Sequence, residues 1–281
     1  MAYEAIIYRK EQGVGIITLN RPRSVNAVSQ QMLDELKAVV EDIGKDKEVR
    51  VFIITGAPRP DGRPCFSAGM DLKEMGRREH QEGLTQATIL DRLEGMLKFD
   101  EFENELARLL RRIERLGKPS IAVIDGICTT GAFEMVLACD FRIVSERAEI
   151  GDFHVKRLGH MGGGGVGVRL PLLVGRSKAK ELILLSKHVD GREAYRIGLA
   201  NQVYPADKLM EGALAFAREL AGMNQDAVRI GKAIIDSTAY VDPDEAMRYN
   251  YLCWTGLLEA TGGFERAKAF TEKRDEFTGH R

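Results

Sequence analysis

The sequence contains few cysteines, and none of them is paired in a short motif. Its four cysteines make no C-x-x-C spacing, which is typical of reduced thiols rather than of a disulfide framework or a zinc site. Basic residues are not in surplus, because 41 Lys and Arg stand against 42 Asp and Glu. A nucleic-acid partner, which requires such a surplus, is therefore not expected.

Long apolar runs are also missing. No stretch approaches the roughly 20 apolar residues that a membrane-spanning helix needs. The N-terminal segment lacks the basic region and apolar region of a secretory signal. We therefore expect no membrane association and a cytoplasmic location. The five histidines are dispersed without metal-ligand spacing, so no metal is expected either.

The composition that remains is that of an ordinary globular protein, with 44% hydrophobic and 30% charged residues in a chain of 281. Short apolar runs at residues 51–55, 121–125 and 141–144 predict buried strands. These runs are continuous rather than alternating, which favours an α/β fold with both sheet faces covered. Residues 4–8 and 14–19 flank a turn containing Gly13 and predict a β-hairpin.

Helical spacing of apolar residues predicts the remaining elements. Ser29 is a suitable N-cap for a helix that Gly44 is expected to end, and a further helix is predicted over residues 131–138. After residue 204 the chain has helical spacing and no β-rich run. We therefore predict a core over residues 1–204 and a C-terminal helical region over residues 205–281.

A set of short motifs follows the same order as in a known family. These motifs are Asn20-Arg21-Pro22, Asn26-Ala27, Phe66-Ser67-Ala68-Gly69-Met70-Asp71-Leu72, Lys118-Pro119-Ser120-Ile121-Ala122, Glu134, Leu137-Ala138-Cys139-Asp140-Phe141-Arg142, Arg169-Leu170-Pro171, Val174-Gly175 and Gly198-Leu199-Ala200-Asn201. Together they resemble the enoyl-CoA hydratase/isomerase (crotonase) superfamily. The resemblance implies a spiral of β-β-α turns with a C-terminal helical region, and assembly into a homotrimer or hexamer.

The resemblance also implies an acyl-CoA substrate, with coenzyme A as part of that substrate and no separate cofactor. In this family two backbone N–H groups bind the thioester oxygen, and they correspond here to Met70 and Gly131. Fixed donors at this position stabilise the charge of a thioester enolate. Glu134 follows Gly131 by one helical turn, which places its carboxylate beside the oxyanion site as a candidate general acid or base.

Two segments correspond to those that bind CoA in the family. The candidate substrate-binding residues in these segments are Arg23, Val25, Ala27, Ala68, Asp71, Leu72 and Lys73.

The sequence departs from the family where a second catalytic glutamate is usual. His154 occupies that position, with Asp152 just before it. Because histidine exchanges protons near neutral pH, His154 is a candidate replacement for the missing carboxylate, and Asp152 is a candidate to orient it. Hydration of an enoyl-CoA is the expected reaction. The alternatives are carbon–carbon bond hydrolysis of a cyclic β-diketone or cyclic acyl-CoA with His154, enoyl-CoA isomerisation, and acyl-CoA binding without turnover.

Two other segments differ from common patterns. Residues 162–167 formally satisfy G-x-G-x-x-G, but no hydrophobic strand precedes them, so we expect close chain approach and a helix start rather than a dinucleotide site. Residues 77–105 form a longer stretch than is usual in the family and are expected to shape the acyl pocket.

Overall fold

A computed structural model of the chain describes residues 3–74, 105–238, 241–260, 262–263, 265–266 and 268. The predicted pocket-shaping stretch therefore lies almost wholly outside the described residues. The chain divides into two compact units, Met1–Ala221 and Gly222–Arg281.

The first unit is a mixed α/β structure. Its strands are β1 (Ile6–Glu11), β2 (Val14–Leu19), β3 (Val51–Gly56), β4 (Cys65–Ser67), β5 (Ser120–Ile124), β6 (Ile127–Thr129), β7 (Phe141–Ser145), β8 (Glu149–Gly151), β9 (His188–Val189) and β10 (Gln202–Tyr204). Its α-helices are α1 (Gln30–Lys45), α2 (Glu105–Arg115), α3 (Gly131–Leu137), α4 (Val166–Val174), α5 (Arg176–Leu184), α6 (Gly191–Arg196) and α7 (Leu209–Gly222). A 3-10 turn covers Pro22–Ser24, and a π-helical turn covers His154–Leu158.

The strands form a six-stranded sheet in the order β1-β2-β3-β5-β7-β10 and a four-stranded sheet in the order β4-β6-β8-β9. Successive strand pairs β3–β4, β5–β6 and β7–β8 each place one strand in each sheet, and each pair is followed by a helix among the described residues. The two sheets are parallel except for the pairs β1–β2 and β8–β9. This repetition is the predicted spiral of β-β-α turns.

The larger sheet is covered on both faces, as its continuous apolar strands predicted. Along β5, Ala122 and Ile124 join the main core with α1, whereas Ile121 and Val123 join a second core on the other face. This alternation follows from the two-residue period of a strand. Helix α7 closes the second core with residues spaced four apart, namely Leu209, Ala213, Ala217 and Ala221.

The N-terminal hairpin is confirmed, with a tighter turn than predicted. Glu11 pairs with Val14, so only Gln12 and Gly13 form the turn, with φ of 48° and 81°. Positive φ at both positions is the requirement of a two-residue type I′ turn. The first strand accordingly runs over Ile6–Glu11 rather than residues 4–8.

Helix α1 begins as predicted and ends later than predicted. Ser29 Oγ accepts a hydrogen bond from Met32 N at 3.2 Å, which confirms the N-cap. Gly44 was expected to end the helix, but this was wrong, because the C-cap is Asp46. A Cβ at Gly44 would lie 3.1 Å from Leu116 Cδ1, so glycine at this position allows close packing.

The second unit contains helices α8 (Gln225–Thr238) and α9 (Pro243–Ala260) among its described residues. The described part of the chain after residue 208 is helical, in line with its sequence pattern. The first compact unit extends to Ala221 because α7 packs on the sheet, and the division predicted after residue 204 stays a prediction. None of the helices in the described ranges is long and apolar enough to cross a bilayer.

Candidate active site

Glu134 is a buried carboxylate held by the main chain. It lies on α3 and is only 2% exposed. Its Oε1 accepts a hydrogen bond from Gly164 N at 2.8 Å and another from Val166 N at 3.2 Å. Its Oε2 has no hydrogen-bond partner in the part of the chain that the structure describes. Backbone donors thus fix Oε1, and Oε2 is available to exchange a proton.

Burial raises the pKa of Glu134 above its ordinary value. The two amide hydrogen bonds and the positive charge of His154 oppose this rise without cancelling it. Desolvation penalises the charged form of a carboxyl, whereas hydrogen-bond donors favour that form. A carboxyl with a raised pKa and a fixed orientation is suited to proton transfer.

His154 and Asp152 form a buried pair close to Glu134. His154 begins the π-helical turn, and its Nδ1 lies 2.5 Å from Asp152 Oδ1. The backbone N–H of His154 donates to the same oxygen at 3.3 Å. Asp152 is 0% exposed, and its Oδ2 is buried with no hydrogen-bond partner among the described residues. The structure therefore brings together the three side chains Glu134, His154 and Asp152 that the sequence singled out.

The carboxylate of Asp152 fixes the orientation of the His154 imidazole and favours its protonated form. Burial disfavours protonation of His154, but the hydrogen bond and charge of Asp152 and the charge of Glu134 outweigh it. The pKa of His154 is therefore raised above its ordinary value. Because Nδ1 faces Asp152, the other ring nitrogen, Nε2, is the one free to exchange a proton.

Two glycines line the space beside these side chains, and their role was not predicted individually. A Cβ at Gly162 would lie 2.5 Å from Glu134 Oε1 and 2.8 Å from both Cε1 and Nδ1 of His154. A Cβ at Gly164 would lie 2.6 Å from Glu134 Oε2. The glycine run was expected to allow close approach and to open a helix, and both expectations are confirmed, since α4 starts at Val166. The sequence did not indicate that this glycine segment packs against the side chain of Glu134.

The amides of Met70 and Gly131 also lie side by side. Gly69 has φ of 93°, and a Cβ there would clash with Thr130 Oγ1, so only glycine fits between the two segments. A Cβ at Gly131 would lie 3.5 Å from Met70 N. Neither amide donates to an acceptor within the described ranges. Met70 forms a parallel bridge with Val28, which fixes its peptide plane.

Asn26 joins the two segments that were expected to bind CoA. This residue is 0% exposed, its Oδ1 accepts from Arg21 N, and its Nδ2 donates to the carbonyls of Ala57 and Phe66 at 2.8 and 3.1 Å. The preceding residue, Val25, has φ of 55°, which is costly for a β-branched side chain. Val25 O accepts a hydrogen bond from Ala68 N at 3.0 Å. The two segments are therefore one rigid surface.

The predicted CoA-binding residues differ in their surroundings on this surface. Asp71 pairs with Arg21 at 3.0 Å, and the hydrogen bond from Arg21 lowers the pKa of Asp71 against the opposing effect of burial. Arg23, Leu72 and Lys73 are exposed, and Ala27 is partly exposed. Their contacts with CoA stay a prediction. Among the described residues, no three His, Cys, Asp or Glu side chains are placed to hold a metal ion.

Comparison with known proteins identifies the family of the chain. Residues 9–280 match the enoyl-CoA hydratase/isomerase family. The chain belongs to this family, which is part of the crotonase superfamily. Members of the family act on acyl-CoA thioesters.

Particular relatives are similar over nearly their whole length. A crotonyl-CoA hydratase of Syntrophomonas wolfei is 34% identical over 275 residues, covering 98% of this chain and 97% of the relative. A short-chain-enoyl-CoA hydratase of Clostridium acetobutylicum is 33% identical over 274 residues, with 98% and 97% covered. The crystal structure of an enoyl-CoA hydratase from Bacillus anthracis superimposes with a TM-score of 0.81 at 31% identity, covering 96% of this chain and 97% of that one.

Proposed function

We propose that the protein adds water to an enoyl-CoA, and in reverse dehydrates a 3-hydroxyacyl-CoA. The observation that carries this proposal is the buried Glu134 carboxylate, fixed at Oε1 by the amides of Gly164 and Val166 and facing the His154 imidazole. Water addition to a polarised double bond requires one group to take a proton from water and another to give one to the α-carbon. The site contains one candidate for each role.

The amides of Met70 and Gly131 are the proposed donors to the thioester oxygen. Their proximity supports this role, as does the lack of an acceptor for either amide among the residues that the structure describes. Water addition passes through a thioester enolate, whose negative charge concentrates on that oxygen. A preorganised donor at such a position typically contributes about 3–4 kcal/mol to transition-state stabilisation.

The proton transfers balance across the two side chains. Glu134 takes a proton as the water oxygen bonds to the β-carbon, and protonated His154 gives its Nε2 proton to the α-carbon. The proton on Glu134 then returns to His154, which restores both groups. Asp152 supports the protonated imidazole throughout, since its carboxylate lies on Nδ1. In this scheme His154 takes the role of the second glutamate that is usual in the family.

The function is tested by incubating the protein with linear enoyl-CoAs, cyclic enoyl-CoAs and cyclic β-diketones and identifying the products by mass. Hydration predicts a product one water heavier than an enoyl-CoA, with the carbon chain intact. Glu134→Gln should lower kcat by about 10²–10⁴-fold with acyl-CoA binding retained, as loss of a general acid/base does. Unchanged turnover in this variant would remove Glu134 from the mechanism. Binding of acyl-CoAs without any product would support the non-catalytic alternative instead.

A second candidate function is hydrolysis of a carbon–carbon bond in a cyclic β-diketone or cyclic acyl-CoA. The Asp152–His154 pair favours it, because an imidazole oriented by a buried carboxylate is suited to activate water. In that reaction His154 removes a proton from water as the water oxygen bonds to one carbonyl carbon. The tetrahedral alkoxide then collapses to a carboxylic acid as the carbon–carbon bond breaks, and His154 gives its proton to the enolate carbon that departs. His154→Ala should then abolish turnover of the diketone, and wild-type rates in this variant would exclude a role for His154 in the hydrolysis.

Assembly into a homotrimer or hexamer is part of the same proposal. Helix α9 exposes several large apolar side chains, including Met247, Tyr251, Leu252 and Trp254. Large exposed apolar side chains are typical of surfaces that are covered in an assembly. Light scattering on the purified protein measures the mass of the assembly directly.

A further inference from the structure

Arg169 lies in α4, one turn after Val166, and contacts the glycine segment that holds Glu134. Its Nη1 donates to Gly164 O at 2.5 Å. Its Nε and Nη2 donate to the two carboxylate oxygens of Glu114, both at 3.0 Å. The Arg169 side chain is 11% exposed and that of Glu114 is 34% exposed, so the guanidinium is the better shielded partner of this ion pair.

The bonded carbonyl has a particular place in the segment. The peptide plane that carries Gly164 O lies between the plane that carries Gly164 N and the plane that carries Val166 N. Both of these amides donate to Glu134 Oε1. Arg169 therefore fixes the middle one of three consecutive planes, and the outer two determine the position of the carboxylate.

The segment needs such a constraint because glycine loses more conformational freedom on ordering than any other residue. Gly163, Gly164 and Gly165 flank these planes, and Gly165 has φ of 97°. A Cβ at Gly165 would clash with Arg169 Nη1, so glycine there also makes room for the guanidinium. Glu114, near the end of α2, holds the guanidinium from the opposite side.

We propose that Arg169, oriented by Glu114, is a positioning residue that keeps the Gly164 and Val166 amides on Glu134. The proposal rests on the proposed function, in which Glu134 transfers the proton. Within the described ranges no hydrogen bond or ion pair joins Arg169 to Glu134, so Arg169 acts through the main chain. Lysine is a poor replacement, because one ammonium cannot reproduce the planar fork that engages Gly164 O and both Glu114 oxygens.

The first test does not depend on turnover. The Glu134 carboxyl is followed by infrared difference titration, with its band assigned by subtraction of the Glu134→Gln spectrum. Loss of the amide bonds removes donors that favour the carboxylate, so Arg169→Met should move the titration midpoint of Glu134 to higher pH. His154 and Asp152 are the other titratable groups acting on Glu134, and both are unchanged in this variant. An unchanged midpoint would overturn the proposal.

The matched control is Arg196→Met. Arg196 makes the same two-pronged pair with Glu193, at 2.6 and 2.7 Å, but its side chain is exposed. This variant should leave the midpoint unchanged. If Arg169→Met does not fold, Arg169→Lys and Glu114→Gln provide the same comparison, each with a smaller shift in the same direction.

The second test is kinetic, with crotonyl-CoA as substrate. Misplacing a catalytic group by about 1 Å costs on the order of 10²-fold, so Arg169→Met should lower kcat about 10- to 100-fold with little change in KM. In the Glu134→Gln variant the same substitution should have almost no further effect. An equal drop in both backgrounds would show that Arg169 does not act through Glu134. If Glu134→Gln itself leaves turnover unchanged, the proposed function fails, and the infrared titration still decides the positioning role.

Discussion

The substitution Gly162→Ala tests directly how tightly the main chain packs against Glu134 and His154. In Gly162→Ala the new methyl group would lie 2.5 Å from Glu134 Oε1 and 2.8 Å from His154 Cε1 and Nδ1. Ordinary van der Waals contact begins at 3.4 Å, so relief of the overlap requires a movement of roughly 1 Å. Both side chains are buried, since Glu134 is 2% and His154 7% exposed. A displacement of this size at a catalytic group lowers kcat about 10²-fold.

The assay compares kcat and KM of Gly162→Ala and Gly167→Ala on the substrate found by product mass. Gly167 belongs to α4, and within the described part of the chain a Cβ there would meet only Met161 Cε at 3.4 Å, which is an ordinary contact. The control should therefore retain activity, and both variants should keep a cooperative thermal unfolding transition. If Gly162→Ala turns over within about threefold of the wild type, well short of the predicted loss, then Gly162 does not limit the space between the two side chains.

Two further substitutions test the supporting residues. Asp152→Asn should lower the pKa of His154, because burial would then act with less opposition, and nuclear magnetic resonance of the imidazole measures this directly. Since the raised pKa of His154 contributes stability below about pH 6.5 and loses it as pH rises through the folded-state value, that pH dependence should weaken in the variant. Asn26→Ala should lower the free energy of unfolding by about 3 kcal/mol, because the buried carbonyl of Phe66 and the partly buried carbonyl of Ala57 lose their donor. Urea denaturation measures the change, and a loss below about 1 kcal/mol would contradict the role given to Asn26.

The sequence predicted those helices and strands in which the spacing of apolar residues matches the spacing of buried positions. The apolar residues that recur at helical spacing in α1 are all buried, namely Met32, Leu33, Leu36, Val39, Val40 and Ile43. The continuous apolar runs of β3, β5 and β7 likewise predicted a sheet covered on both faces. Gly44 was misassigned as a helix end, because close approach and helix termination both favour glycine, and the sequence does not distinguish them.

The sequence singled out residues of the candidate site but not the hydrogen bonds that connect them. Motif resemblance singled out Met70, Gly131 and Glu134, and the departure at residue 154 singled out His154. The contact between Glu134 and Gly164 spans 30 positions and uses a backbone donor. No side-chain type is required for such a donor, so the pattern of residue types carries no signal of it. The same holds for the hydrogen bond from Arg169 Nη1, whose acceptor is the main-chain carbonyl of Gly164.

The unequal hydrogen bonding of the two Glu134 oxygens has a stereochemical consequence. Oε1 is occupied by two amides, so a proton can be exchanged only at Oε2. In the proposed hydration, the thioester is held on the amides of Met70 and Gly131, and Oε2 then reaches the double bond from one side only. The hydroxyl group would be added to a single face, and the 3-hydroxyacyl product would be one enantiomer.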